Sequence, residues 1–330
     1  MLVITLGDPH SVTVELLAGL LPDLVRTTQA PVAVVGSAWQ WQDQERRLGL
    51  RPVAFRPAAR LADVAGPGLH FVDLGAASDQ VPAETMSPTA RGAAAVRPLA
   101  ALRGLAPGPG GRLAVVTGPI DKHACALAGY AFPGQTEYFE DLWGGRAVMT
   151  LAGPRLRVGL VTNHLALRDV PGAVTRELVE TKLALLVRTL SEAFLIPRPR
   201  VALCGLNPHA GDQGLFGDEE PRVLEPALAA ARARFPDATL AGPLPADTAF
   251  YRAYQGAFDG VLALYHDQGL GPLKTVHFDD AVNLSGGLPH FRASPDHGPA
   301  QDLFLKKQAS PRSFAAALAL ACRYLEGSPS

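Results

Sequence analysis

The sequence predicts an α/β protein of two domains, each built on a doubly wound sheet, and three observations carry that prediction. At 330 residues the chain exceeds what one hydrophobic core usually organises. Short apolar runs alternate with helix-length amphipathic segments, which is the pattern of successive βαβ units. Three of those runs stop abruptly at polar clusters that contain a histidine, as strands do where their carboxyl ends face a ligand crevice.

The elements follow in order. Met1–Leu6 is apolar apart from Thr5 and runs into Gly7, Asp8 and Pro9. With no charged leader and no long apolar region it is a first strand, not a signal peptide. Thr13–Leu21 is a helix with one apolar face, Pro31–Gly36 a strand, Ala38–Leu48 a helix, His70–Leu74 a strand and Thr89–Leu105 an alanine-rich helix. The Pro/Gly loop Ala106–Gly111 leads to the strand Arg112–Thr117, and from Gly118 come a polar loop, a short helix and a second loop. Arg157–Thr162 is a strand ending in Asn163 and His164, with a loop to Pro171 and a long helix, Thr175–Phe194. Arg198–Leu206 is a strand ending in Asn207, Pro208 and His209, followed by the polar, Gly-rich loop Ala210–Glu219. Helices are expected over Pro221–Phe235 and Ala246–Phe258, then a buried strand, Val261–Tyr265, ending in His266, Asp267 and Gln268. Leu273–Asn283 precedes a Gly/Pro loop, Phe314–Leu325 is a closing helix, and Gly327–Ser330 reads as a loose tail.

Composition narrows the functional classes. Hydrophobic residues make up 48% and charged residues 18% of the chain, enough apolar mass for a packed core. A net charge of −1 gives no basic footprint for nucleic acid, so a small-molecule ligand is expected. No apolar stretch approaches the roughly twenty residues of a membrane span. Cys125, Cys204 and Cys322 are odd in number, widely spaced and set in apolar sequence, which fits reduced core thiols of a cytoplasmic protein. Nothing near Cys204 would lower its pKa and make it a nucleophile.

Each histidine alone reads as a hydrogen-bonded residue at a strand end. Three in the same context, His164, His209 and His266, read differently, because they would converge at one sheet edge or one cleft between domains. Neutral imidazole is the commonest metal ligand, and three protein ligands with an open position make a catalytic site.

The stretches TGPIDKHACALAGYAFPGQTEYFEDL, LVTNHLALRDVPGAVT, GLNPHAGDQGLFGDEE, GPLPADTAF, LALYHDQGLGPLK and VNLSGGLPHFRASPDHG carry a resemblance to a known family. In this order they resemble the 4-hydroxythreonine-4-phosphate dehydrogenase (PdxA) family of pyridoxal phosphate biosynthesis. They cover most of Thr117–Leu303, with weaker similarity before. The resemblance implies a fold like that of isocitrate and isopropylmalate dehydrogenases, with residues 1–128 and 277–330 forming a dinucleotide-side domain and 129–276 a metal, substrate and dimer domain. It implies a divalent metal (zinc, cobalt, manganese or magnesium) on His164, His209 and His266, NAD or NADP, and a homodimer whose two chains share each active site. The implied reaction is oxidation and decarboxylation of 4-phosphooxy-L-threonine to 3-amino-2-oxopropyl phosphate.

For a phosphorylated hydroxy-amino-acid substrate, Lys274 offers a point charge, Arg292 a planar fork and Asn283 an amide donor. All three coincide with family substrate positions, as do Thr136 and Gln135. Asp247 and Asp267 are candidates for orienting a ligand or accepting a proton, although PADTAF also suits Asp247 as a helix N-cap. Lys122 lies in the family-like GPIDK turn and is a further catalytic candidate.

The chain departs from the family pattern in three places. Gln135 stands where the family has histidine in PGHTE, and an amide can donate a hydrogen bond but cannot carry charge. The family's GDPxGIGPE reads here Gly7-Asp8-Pro9-His10-Ser11-Val12-Thr13-Val14-Glu15, where β-branched residues oppose the backbone freedom that glycines give. After Asp296-His297-Gly298 the usual small-residue turn becomes Pro299-Ala300-Gln301-Asp302-Leu303-Phe304-Leu305, and no GxGxxG fingerprint replaces it. Gly7, Asp8, Asp296 and His297 are the implied dinucleotide contacts. The alternatives are a paralogue oxidising another phosphorylated or carboxylated hydroxy acid, and a metal-binding homologue that has lost dehydrogenase activity.

Overall fold

In a computed structural model of the chain, residues 1–107 and 111–327 are described. Residues 108–110 of the Pro/Gly loop and 328–330 of the tail lie outside them. Two compact units are present, one of Met1–Gly144 with His290–Glu326, the other centred on Gly145–Pro289.

The first unit opens with β1 (Leu2–Thr5), α1 (Thr13–Thr27), β2 (Pro31–Gly36), α2 (Ala38–Arg47), β3 (Arg56–Ala58), β4 (Gly68–Asp73), α3 (Pro88–Ala100) and β5 (Ala114–Thr117). Two short helices, α4 (Lys122–Leu127) and α5 (Gln135–Trp143), complete this stretch. β1 and β5 are buried at every position, as expected of strands covered by helices on both faces. Side chains at the helix starts take up orphan backbone donors: Ser37 accepts from Gln40 N, Ser87 from Ala90 N and Asp121 from Ala124 N.

The second unit holds β6 (Val148–Ala152), β7 (Arg157–Leu160), α6 (Val170–Ala173), α7 (Arg176–Glu192), β8 (Arg200–Cys204), α8 (Glu225–Arg234), β9 (Thr239–Leu244), α9 (Ala246–Tyr254), β10 (Gly260–Ala263), α10 (His266–Val276) and β11 (Val282–Gly286). The chain then returns to the first unit with β12 (Phe291–Pro295) and α11 (Arg312–Glu326). Thr175 caps α7, whose residues Val179, Leu183, Leu186, Val187 and Leu190 form one buried stripe at helical spacing.

Strands of the first unit lie in the order β3-β4-β2-β1-β5-β12, all parallel. Those of the second run β11-β6-β7-β10-β8-β9. β7, β10, β8 and β9 are parallel, whereas β6 is antiparallel to both β7 and β11. Leu151, Val158, Leu160, Ala202, Phe250, Val261, Ala263 and Leu273 belong to one core cluster of this unit.

The units divide at Gly144 and His290, where the sequence reading divided the chain at 128 and 276. α5 stays with the first unit because Tyr138 and Phe139 are buried there, with Tyr138 Oη donating to Leu99 O at 2.8 Å. Residues 282–286 stay with the second because β11 pairs with β6 from Val282 opposite Ala152 to Gly286 opposite Val148. Among the described residues no helix is long and apolar enough to cross a membrane.

Candidate active site

In the second unit the histidine-bearing segments leave the carboxyl ends of three parallel strands. His164 follows β7 and is exposed, and His266 is the first residue of α10. Their ring centroids are 5.5 Å apart. Nδ1 of His266 shares a 2.7 Å hydrogen bond with Asp267 Oδ1, which leaves Nε2 as the lone-pair face of the neutral ring. Gln268 ties the ends of two strands together: its Oε1 accepts from Leu264 N at 2.7 Å and its Nε2 donates to Gly205 O at 2.8 Å.

His209 is carried differently. It begins a run of left-handed residues, His209, Ala210, Gly211, Asp212 and Gln213, with φ between 42° and 84°. Each non-glycine member costs about 1–2 kcal/mol relative to right-handed backbone, so the turn persists only because its surroundings determine it. The ring of His209 is exposed and stands 6.2 Å from that of Phe216. The structure thus pairs His164 with His266 and does not complete a triad within one chain. Among the described residues no group of three or more His, Cys, Asp or Glu side chains is gathered closely enough to hold an ion.

The paired rings nevertheless fit a shared ion. Two imidazoles bound at about 2.0–2.1 Å set their centroids roughly 5 Å apart, close to the observed separation. Beside His164, Asn163 Oδ1 is buried and accepts no hydrogen bond from the described residues, and the same holds for Asn283 Oδ1 on β11. Lys274, on α10, holds its Nζ 5.3 Å from the centre of the Phe278 ring. Asp247 is exposed in the first turn of α9. The N-cap position there belongs to Pro245, which corrects the capping alternative read from PADTAF.

In the first unit a second group forms about the last residue of β5 and the second residue of β12. Arg292 on β12 is 3% exposed. Its Nη2 donates to Thr117 Oγ1 at 2.8 Å, and its guanidinium carbon is 5.6 Å from the Phe139 ring centre. Burial pushes its pKa down to about 10, opposed by Tyr130 and Glu137, so it remains cationic at neutral pH. Gln135 Nε2 donates to Gly118 O at 3.2 Å, which fixes the amide orientation and leaves Oε1 buried with no donor among the described residues. Thr136 lies in the first turn of α5. Lys122 is exposed at the start of α4, one residue after the capping Asp121.

Gly7 and Asp8 line the loop after β1. A Cβ on Gly7, whose φ is +72°, would meet Pro119 O at 2.3 Å. The Asp8 carboxyl is held above its ordinary value chiefly by burial, against the His10 N–H bond and the Arg91 guanidinium 3.4 Å away. The β-branched residues after it meet no conflict, because Thr13 already opens α1 and left-handed backbone in this loop is confined to Gly7. The altered segment after Gly298 packs on this loop: Val12 N donates to Pro299 O at 3.2 Å, and the His10 and Phe304 rings meet edge-on at 4.6 Å. His297 Nδ1 lies 2.8 Å from Gly298 O, and Asp296 N donates to Ser313 Oγ at 2.9 Å. Ala300, Leu305 and Lys307 take left-handed φ without being glycine.

Sequence reasoning passed over Arg91 and Glu220 and gave no role to Thr117 or Gln268. Glu220 is 2% exposed and its carboxylate binds the segment leading to His209. The signal for it was a Gly-rich polar turn whose backbone donors need acceptors. Cys204 is inert as expected, since burial pushes its thiol up to about 12.

Comparison with known proteins places these features in a family. The profile of pyridoxal phosphate biosynthetic protein PdxA matches residues 33–321. A 4-hydroxythreonine-4-phosphate dehydrogenase of Geobacter metallireducens is 52% identical over 209 residues, 63% of this chain and 61% of that protein. Over that stretch the chain spans about three-fifths of the length of the first curated relatives. Longer matches are the enzyme of the same name from Thermosynechococcus vestitus, 38% identical over 99% of this chain and 97% of that protein, and the D-threonate 4-phosphate dehydrogenase of Salmonella typhimurium, 37% identical over 96% and 97%. The crystal structure of a Klebsiella pneumoniae 4-hydroxythreonine-4-phosphate dehydrogenase superposes with a TM-score of 0.81 at 33% identity, covering 98% of each chain. A β-decarboxylating dehydrogenase from Thermococcus kodakarensis shares the fold, with a TM-score of 0.53 at 13% identity over 99% of this chain and 84% of that one.

Proposed function

This chain belongs to the PdxA family of dehydrogenases, and on that premise we propose that it oxidises and decarboxylates 4-phosphooxy-L-threonine to 3-amino-2-oxopropyl phosphate, using a divalent metal and NAD or NADP. The observation that carries the proposal is the pairing of His164 with His266, whose Nδ1 is engaged by Asp267. The native ion is zinc, cobalt, manganese or magnesium, since imidazole and open positions accommodate several of these. When bound, the metal would acidify the substrate's secondary alcohol and assist loss of carbon dioxide, while the nicotinamide would take the hydride.

The chain's own residues bind, orient and move protons. Arg292, held by Thr117, and Lys274 take anionic oxygens of the substrate, with Gln135, Thr136 and Asn283 supplying neutral contacts. Asp267 is committed to His266, which leaves exposed Asp247 as the carboxylate to accept the alcohol proton. Lys122 is the candidate donor of a proton to carbon after decarboxylation. Gly7, Asp8, Asp296 and His297 form the dinucleotide side.

In this reading a homodimer shares the metal, with His209 completing the pair across the subunit boundary. Exposed Leu165 and Leu167 follow His164, and exposed Leu215 and Phe216 follow His209, which suits segments covered by a second copy. Three buried free thiols fit action in the cytoplasm.

Gln135 favours a second reading, in which the substrate is another phosphorylated hydroxy acid such as D-threonate 4-phosphate, named for the Salmonella typhimurium relative. One assay separates the two: purified protein with a divalent metal and NAD or NADP, given each phosphorylated acid in turn, with NADH or NADPH absorbance as readout. Turnover of 4-phosphooxy-threonine supports the first reading and turnover of D-threonate 4-phosphate alone the second. Metal binding with no dinucleotide binding by calorimetry would leave a homologue without dehydrogenase activity.

A further inference from the structure

The segment that carries His209 is bound to a buried carboxylate thirteen residues further along. Glu220 Oε1 accepts from the backbone N–H of Leu206 and of Asn207, both at 2.8 Å. Oε2 accepts from Asn207 Nδ2 at 3.0 Å, and the same amide donates to Glu219 Oε2 at 2.7 Å. Asn207 is therefore gripped at its main chain and its side chain, two residues before His209. A Cβ on Gly211, the middle residue of the left-handed run, would stand 2.7 Å from Glu220 Oε2. The carboxylate thus fills the inside of the turn as well as anchoring its entrance.

Carboxylates that accept several backbone N–H groups make strong, geometrically specific bonds. Strained backbone holds one shape only where neighbours over-determine it. We propose that Glu220 is a positioning residue for the metal site: its clamp on Leu206 and Asn207 sets the left-handed turn that aims the His209 imidazole. The inference rests on the reading of His209 as a metal ligand. Glu220 itself touches neither ion nor substrate.

The test titrates cobalt(II) into metal-free protein, following calorimetric affinity and the visible d–d spectrum, with thermal unfolding of the metal-free form alongside. Glu220→Gln keeps the side-chain shape but removes the charge, and its amide nitrogen, in the place of Oε2, sets a donor against the Asn207 Nδ2 donor. It is expected to weaken cobalt binding about 10- to 100-fold, the range typical when a ligand's supporting partner is lost. Its spectrum is expected to shift toward that of His209→Ala while unfolding stays cooperative. Asn207→Ala, which frees Oε2 but leaves the backbone bonds, is expected to show a smaller loss in the same direction. If His209→Ala weakens cobalt binding and Glu220→Gln does not, the positioning role is overturned. If His209→Ala itself binds cobalt as the parent does, the ligand reading beneath it fails. Should Glu220→Gln not fold, Asn207→Ala decides, and parental affinity and spectrum in that variant overturn the proposal.

Discussion

Asp267 Oδ1 stands 2.7 Å from Nδ1 of His266, and this contact between adjacent residues fixes the free face of the ring. The carboxylate accepts a hydrogen bond from Nδ1–H of the neutral ring, which leaves Nε2 as the nitrogen with the free lone pair, in a ring whose centroid is 5.5 Å from that of His164. Supporting carboxylates of this kind raise ligand basicity and restrict ring rotation.

Asp267→Asn is expected to weaken divalent-metal binding about 10- to 100-fold. The Asp267 side chain is largely exposed, so unfolding temperature should hardly change. Calorimetric titration of zinc or cobalt into metal-free variant and parent measures the first, and a thermal scan the second. Equal affinities would remove Asp267 from the site.

Thr117→Val takes from buried Arg292 the hydroxyl that accepts its 2.8 Å bond. Hydrogen bonds to charged groups contribute about 1.5–3 kcal/mol, so, on the proposed role of Arg292 in holding a phosphorylated substrate, KM should rise roughly tenfold or more with a smaller change in kcat. Steady-state kinetics separate the two parameters.

The raised Asp8 carboxyl makes a signed prediction. Burial favours the neutral acid in the folded state, so stability from this group is fully present below its unfolded value near 3.8. It is lost as pH rises through the higher folded value. Asp8→Asn keeps an acceptor for His10 N without the charge, and its unfolding temperature relative to the parent should climb as pH is raised from about 4 to 7. Parallel thermal scans across that window check the sign.

Gly7→Ala combines positive φ with a collision against Pro119 O. It should destabilise the protein by more than about 1 kcal/mol, seen as a lower denaturant midpoint with unchanged slope. Gln135→His should introduce an ionisation near pH 6.5 into the kcat/KM profile, provided substrate meets this side chain. A profile identical to the parent's would place Gln135 outside the substrate site.

Much of this arrangement was legible in the sequence because burial and chemistry coincide at strand ends. Val158, Ala202 and Val261 lie in apolar runs bounded by histidine clusters, and a parallel sheet explains both facts together. Two of the strands that escaped notice have sequences that suit loops. Pro57 in β3 and Pro243 in β9 look like strand breakers, yet among the described residues β3 pairs with β4 alone and β9 with β8 alone, and a strand with one ladder partner tolerates proline. β12 hides a charge inside a strand, since Arg292 is buried beside Thr117. Glu220 resembles a surface acid until the chain is seen to fold back on Asn207, a contact that local patterning does not encode.

The path of the chain also fixes an order of events during synthesis. β5 is made early, but its parallel partner β12 begins only at Phe291, after the whole of Gly145–Pro289 has been translated. Until then one rim of β5 presents unpaired amide and carbonyl groups, a template for mispairing with other nascent chains. The strand bearing the buried guanidinium is the last of the described strands to be translated, so the surroundings of Arg292 in the first unit mature only after the second unit has been made.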